Sequence, residues 1–242
     1  MFFHIRIFLQ TLRRNVTYTA INIAGLSIGI TASVLIFLWV HHERSFDTHH
    51  ADTNRIYRII QSINVGDNTN TFPFVSFPFI SACETEIPEI ENIAFTIISE
   101  RLNSVTVNNT VFSVDNGVFV NRAWLEMFHN QILDGSFEAY GAHPYSVALS
   151  ESEAKKYFGE KRAVGQTVRI NNADYTVQAV VKDNPSNSNF RHKIMASTDV
   201  AMANPSFRPV LEQFGTMGIN KFQGFCKISS KHRYIFGFSK NE

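Results

Sequence analysis

Four histidines crowd one short stretch, His41, His42, His49 and His50, with Glu43, Asp47 and Asp52 among them. Imidazole and carboxylate are good zinc ligands, so metal binding is the first chemistry to weigh. The spacing argues against it, because adjacent histidines diverge on a helix and ligands sharing one face stand three or four apart. The plainer reading is a polar extension of a helix. Asp115, His129 and one of several serines have the residue types of a hydrolase triad, but no spacing ties them together. The sequence contains no Gly-x-x-x-x-Gly-Lys-Ser/Thr phosphate loop, no His-Glu-x-x-His and no Gly-x-Ser-x-Gly. It therefore assigns no catalytic, cofactor-binding or metal-ligating residue. Any use of ATP would need a partner.

The elements around these residues begin with a long apolar run. From Asn15 to Val40 no side chain carries a formal charge. At about 1.5 Å per residue, roughly 20 such residues cross a hydrocarbon layer about 30 Å thick. The few polar side chains in the run are small and can bond back to their own helix. Trp39 stands at its far end, where an amphipathic ring suits the headgroup layer. A cleaved signal peptide would have a shorter apolar region and a small-x-small site. Here the run is longer and ends in Trp39-Val40-His41-His42-Glu43. The expected layout is a cytoplasmic interfacial helix over 1–14, a transmembrane helix over 15–42, a folded domain over 43–221 and a tail over 222–242. Arg6, Arg13 and Arg14 precede the span, which predicts a cytoplasmic N-terminus and an exported domain, in a bacterium in the periplasm or on the outer face of the cell membrane. Gly25, Gly29 and Ser33, four apart, form a small-residue stripe on which a second helix could pack.

The 242 residues carry a net charge of +1, with 19 basic and 21 acidic residues from Glu43 onward. That excludes a basic nucleic-acid-binding surface of the usual kind. Hydrophobic residues make up 44% of the chain, too many for a disordered one. After Asp52 the pattern alternates strands and short helices. A strand is expected over 54–64, a short helix and Pro88 turn over 78–91, and a strand over 93–98. A hairpin is expected over 104–120, with turns at Asn108-Asn109 and Asp115-Asn116-Gly117. Residues 123–131 read as an amphipathic helix with Trp124, Met127 and Phe128 inward. Ser146–Leu149 reads as a strand, and Ser150-x-x-Glu153 as a capping box opening a helix that Gly159 stops. Strands over 168–170 and 175–181 flank Asn171-Asn172-Ala173-Asp174, another hairpin signal, and 184–189 is a polar loop. The order is that of an α+β domain. Cys83 and Cys226 can form at most one bridge. An exported domain permits it, spacing alone does not decide it, and the alternative is two buried thiols.

The stretch from Leu38 to Arg58 resembles the junction between the first membrane helix and the periplasmic core domain of MacB-like, FtsX-type ABC transporter permeases. Trp39, Val40, Glu43, Phe46, Asp47, Arg55, Ile56, Tyr57 and Arg58 fall in register with it. Phe128 to Gly135 resembles the Phe-x-x-x-Leu-Leu-x-Gly stretch of that family. Ser146 to Gly159 is similar to its strand, capped helix and terminal Phe158-Gly159. Val164-Gly165, Tyr175 to Asp183, Pro185 and Ser188 follow in order. Three departures stand out: Ala163 for a usual proline, Ala179 for a glycine and Asn189 for a common histidine.

The resemblance implies a periplasmic domain that transmits motion, driven by an ATPase, to substrate or to partner proteins. The implied partners are the membrane, an ABC ATPase subunit holding the ATP, a second permease copy and a periplasmic protein. No cofactor and no catalytic residue is implied for this chain. Permeases of the family have further membrane helices, and no second charge-free run of about 18 residues follows Val40. The chain thus reads as a truncated permease, or a remnant with a foreign tail at 222–242. The rival reading is a stand-alone membrane-anchored binding or sensor module.

Overall fold

A computed structural model describes residues 14, 16–47, 52–65, 68–129, 131–203 and 222–229. His49, His50 and the expected interfacial helix up to Arg13 lie outside the described residues. The chain divides into two compact units, 1–46 and 47–242.

The first unit contains helix α1, Val16–Arg44, with no buried residue. Among the described residues it is the one helix long and apolar enough to cross a membrane. Its small polar side chains bond inward as expected. Thr31 Oγ1 donates to the Ser27 carbonyl at 2.7 Å, and Ser33 Oγ to the Gly29 carbonyl at 2.8 Å. Such back-bonds remove the cost of an unpaired hydroxyl in hydrocarbon.

The second unit is a mixed α/β domain. A short 3-10 turn, Thr53–Arg55, leads into β1 (Ile56–Ile59), then β2 (Gln61–Val65), β3 (Asn68–Phe72) and α2 (Phe77–Glu86). β4 (Ile90–Val107) and β5 (Thr110–Val120) are followed by α3 (Arg122–Phe128), β6 (Ile132–Gly135), α4 (Phe137–Ala142) and β7 (Ser146–Ser150). Next come α5 (Glu151–Phe158), β8 (Thr167–Ile170), β9 (Ala173–Val181), β10 (Ile194–Ser197), α6 (Asp199–Ala203) and β11 (Phe222–Ile228). The main sheet runs β1-β11-β4-β5-β10-β7-β9-β6. β8 pairs with both β9 and the far end of β4, through Val105 and Thr106, so β4-β5-β10-β7-β9-β8 form a closed ring. The long β4 serves two neighbours along one edge, β11 beside Ile90–Ile97 and β8 beyond.

Two apolar cores lie on opposite faces of these strands. The larger contains Ile93, Phe95, Val105, Leu149, Ile170 and Ile194. The smaller contains Trp124, Phe128, Tyr140, Met195 and Phe225. Alternation along a strand sends successive side chains to opposite faces, so Phe225 and Cys226 enter different cores.

Several expectations need correction. The strand expected over 54–64 breaks at Ile60: β1 joins the main sheet, whereas β2 pairs with β3 in a separate hairpin. Asp115-Asn116-Gly117 is no turn but the middle of β5. Gly117 faces Leu102, and a Cβ there would lie 2.4 Å from the Leu102 Cβ. The glycine permits close packing where the β4 register shifts between Ile97 and Leu102. The capping box is half formed. Ser150 Oγ accepts from the Glu153 N–H at 3.4 Å, but the Ser150 N–H donates to the Lys193 carbonyl beside β10. Glu153 instead pairs with Lys156 and Lys193. Residues 222–228, set apart as a tail, form β11 between β1 and β4.

The turns at Asn108-Asn109 and Asn171-Asn172 are as expected, with φ of 49°, 65°, 47° and 64°. Two successive left-handed residues match the strand twist of a tight hairpin, and asparagine tolerates them. Gly159 stops α5 at φ 61°, its N–H donating to the Lys155 carbonyl.

Candidate functional site

The residues singled out by sequence do not converge on one pocket. They gather at two places where distant parts of the chain are tied together.

The first is built on Asp47, where the second unit begins. Its backbone is left-handed, φ 55°, a conformation aspartate adopts more readily than most residues. Asp47 Oδ1 accepts from Ser188 Oγ and from the Asn189 N–H, each at 2.9 Å, and Oδ2 accepts from Asn189 Nδ2 at 2.8 Å. The Asp47 N–H donates to the Asn187 carbonyl at 3.1 Å. One residue therefore engages three consecutive positions of the polar loop. Hydrogen bonds to a carboxylate are about twice as strong as neutral ones. Asn189 stands where the resemblance led us to expect histidine, and its side-chain amide supplies the N–H an imidazole could also supply.

The loop is fixed from behind. Asn184 Nδ2 donates to the carbonyls of Phe128 and Phe190 at 2.9 and 2.8 Å, and the Phe190 N–H donates to Ser188 Oγ. The Ser188 N–H closes a turn on the Pro185 carbonyl at 3.0 Å. Phe190 stacks on Phe128 with centroids 4.0 Å apart and meets Trp124 and Phe225 edge-on at 5.5 Å. Asp47 thus connects, through one loop, to α3 and to β11. Asp183, just before the loop, caps α5: it accepts from the Ser152 N–H at 2.9 Å and from Ser152 Oγ at 2.8 Å.

The second place joins the start of β1 to the end of β11. Arg55 Nε donates to the Ile228 carbonyl at 2.8 Å, and its guanidinium pairs with Glu91 and Asp52. Lys227 pairs with Asp52 at 2.6 Å, and this contact holds the Asp52 carboxyl below the ordinary carboxylate range. Tyr57 lies opposite Cys226 and Arg58 opposite Phe225. Burial lowers the pKa of Arg58, whose Nε has no hydrogen-bond partner among the described residues. Sequence reasoning gave no role to Lys227, because it lies in the segment set aside as a tail.

The remaining motif residues shape the backbone. Gly135, φ 81°, passes so close to β9 that a Cβ would lie 2.1 Å from the Gln178 carbonyl oxygen. Gly165, φ 87°, turns the chain so that its N–H reaches the Val177 carbonyl. Phe158 packs against the larger core. On α1, Gly25, Gly29 and Ser33 line a shallow groove with Ile21, Leu26 and Val34, while Trp39 and Glu43 are exposed. Phe46 meets the His42 ring edge-on, and His41 stacks on Phe37. Asp115 is exposed on β5 and His129 is buried after α3, which does not make them a catalytic pair. Among the described residues no group of three or more His, Cys, Asp or Glu could hold a metal ion.

Comparison with known proteins agrees with this architecture. Among curated proteins none matches. A domain of a provisionally assigned permease protein from Porphyromonas gingivalis superposes with a TM-score of 0.59 at 18% identity, over 75% of this chain and 78% of that one. The periplasmic region of MacB from Actinobacillus actinomycetemcomitans gives 0.49 at 17% identity, over 74% and 76%. The extracellular domain of the noncanonic ABC-type transporter YknZ from Gram-positive bacteria gives 0.48 at 10% identity, over 72% and 84%. The family model for the MacB-like periplasmic core domain matches residues 19–219. That match covers α1 and the domain up to, but not including, β11, and on it the chain belongs to the MacB-like periplasmic core domain family of ABC transporter permeases, as a membrane-anchored periplasmic domain.

Proposed function

We propose that this chain is a permease component of an ABC-type export system whose periplasmic domain passes ATPase-driven motion to substrate or partner proteins. The observation that carries this reading is the Asp47 clasp. Asp47 follows α1 by three residues and is bonded to the loop that seats Phe190 between α3 and β11. Within the second unit Asp47 therefore opens a hydrogen-bonded, close-packed route into the sheet, and packed interiors transmit strain instead of absorbing it. The N-terminus lies in the cytoplasm, following the arginines before the span. ATP is bound and hydrolysed on a partner ATPase subunit, and a second permease copy packs in the membrane.

The test is purification of the tagged full chain from its native membranes in mild detergent. Co-purification of a nucleotide-hydrolysing subunit, with ATP turnover that this chain alone lacks, is the expected result. A chain recovered without any ATPase would contradict it and favour the stand-alone anchored module.

A further inference from the structure

Cys83 and Cys226 come from distant parts of the sequence but lie on facing elements. Along β11, Phe222, Cys226 and Ile228 enter the larger core beside Ile93, Phe95 and Ile97 of β4. α2 covers that face with Ile80 and Cys83, its two buried residues, which are three apart and so on one side of the helix. Both ends of α2 are fixed relative to β11. Before the helix, Val75 bridges to Phe222, and the Phe77 ring lies 5.7 Å from that of Phe222. After it, Ile90 pairs with Ile228. Between these points α2 and β11 run the same way. Six helical residues from Phe77 advance roughly 9 Å, and four strand residues from Phe222 advance roughly 13 Å. Cys83 and Cys226 therefore arrive on facing sides within roughly 4 Å of the same level, both inside the larger core. Both are buried thiols. Burial, and next the neighbouring Cys83, push the Cys226 thiol up to about 11.

We infer that Cys83 and Cys226 are oxidised to an intramolecular disulfide in the exported domain, fastening α2 to β11. The inference rests on the reading that this domain faces the periplasm, where such bonds persist. The chemistry is thiol–disulfide exchange with a disulfide-carrying oxidant protein of that compartment. One cysteine thiolate attacks the oxidant's disulfide, and one oxidant sulfur leaves as a thiolate. The second cysteine, also as a thiolate, displaces the other oxidant sulfur from the mixed disulfide. One S–S bond forms in this chain and one breaks in the oxidant. Two electrons and two protons pass to the oxidant, which ends as a dithiol. A thiol already buried and protonated attacks poorly, so exchange precedes the docking of α2 onto the sheet. The bond then lies inside the core, out of reach of external reductants. β11, which lies outside the span of the family match, gains a covalent tie to the part inside it.

The test uses the full chain in cells. Spheroplasts are treated with protease to establish which side the domain faces. A parallel sample is acid-quenched, denatured without reductant, alkylated with iodoacetamide and weighed by mass spectrometry. The chain has two cysteines, so the count is unambiguous. The expected result is a protease-accessible domain with no adduct, and two adducts once reductant is added before alkylation. Two adducts without reductant on a protease-accessible domain would overturn the disulfide and leave the orientation standing. A protected domain would overturn the orientation and the disulfide with it. A disulfide-linked dimer on a non-reducing gel would overturn the intramolecular pairing.

Discussion

The carboxylate of Asp47 accepts the side-chain amide of Asn189 at 2.8 Å, across 142 positions of sequence. The same carboxylate holds Ser188, which is 1% exposed.

Removing that carboxylate should loosen the loop. Asp47→Ala is expected to destabilise the domain by roughly 2 kcal/mol, the scale of a few partly exposed hydrogen bonds to a charged group. Asn189→His should retain most of the stability, since an imidazole N–H can replace the amide donor. Urea denaturation of the full chain in detergent, followed by Trp124 fluorescence, would measure both. Equal losses in the two variants would show that the amide, not the charge, sets the geometry.

The glycines separate into those that need space and those that need only conformation. At Gly135 an added Cβ collides with backbone, and φ is 81°. Gly135→Ala should cost roughly 3 kcal/mol or more. At Gly159 there is open space, but φ 61° with ψ −126° lies outside the left-handed helical region, so alanine should cost roughly 2 kcal/mol, all of it backbone strain. Thermal melts of the two variants would rank them, and a reversed order would contradict the close approach of Gly135 to β9.

A pH dependence follows from His192. Its ring lies 5.9 Å from that of Trp124, and burial lowers its pKa from 6.5 to about 4. The imidazole is neutral in the fold and gains its proton first in the unfolded chain. Stability is therefore full above pH 6.5 and falls as the pH drops toward 4, with no further loss from this group below that. The shift corresponds to roughly 3 kcal/mol at most. His192→Phe should flatten the stability profile between pH 6.5 and 4. An unchanged slope would place the titration elsewhere.

Much of the domain was legible in the sequence because its signals are local. The paired asparagines at 108–109 and 171–172, the stop at Gly159 and the inward Trp124, Met127 and Phe128 depend on a few neighbouring residues. The errors share a cause: partners distant in sequence. Gly117 belongs to a strand because Leu102 packs on it, and the N–H of Ser150 is taken by Lys193. β11 is a strand because β1 and β4 flank it. Of the junction, Asp47 and Ser188 were visible as motif residues. Their contact was not, since nothing in either segment names the other.

The groove on α1 gives a prediction within the membrane. A Cβ added at Gly25 or Gly29 meets nothing within 4 Å, so the face is open to a partner helix. We expect Gly29→Ile to leave insertion intact and to reduce association with a second copy sharply, because close backbone approach carries such contacts. Leu35→Phe, outside the groove, should have little effect. Membrane two-hybrid signals would decide, and equal signals from parent and both variants would make the stripe mere composition.

If motion enters the domain through Asp47, loss of its carboxylate should uncouple the domain from ATP turnover. The most direct measurement is the distance between spin labels at Val111, an exposed site on β5, in two copies of the chain within the purified transporter. Distances are compared without nucleotide and after trapping with ATP and vanadate. The wild-type distance should change on trapping. In Asp47→Ala it should stay near the nucleotide-free value although ATP turnover persists. If Asp47→Ala shows the full wild-type change, the clasp is structural only and motion reaches the domain by another route.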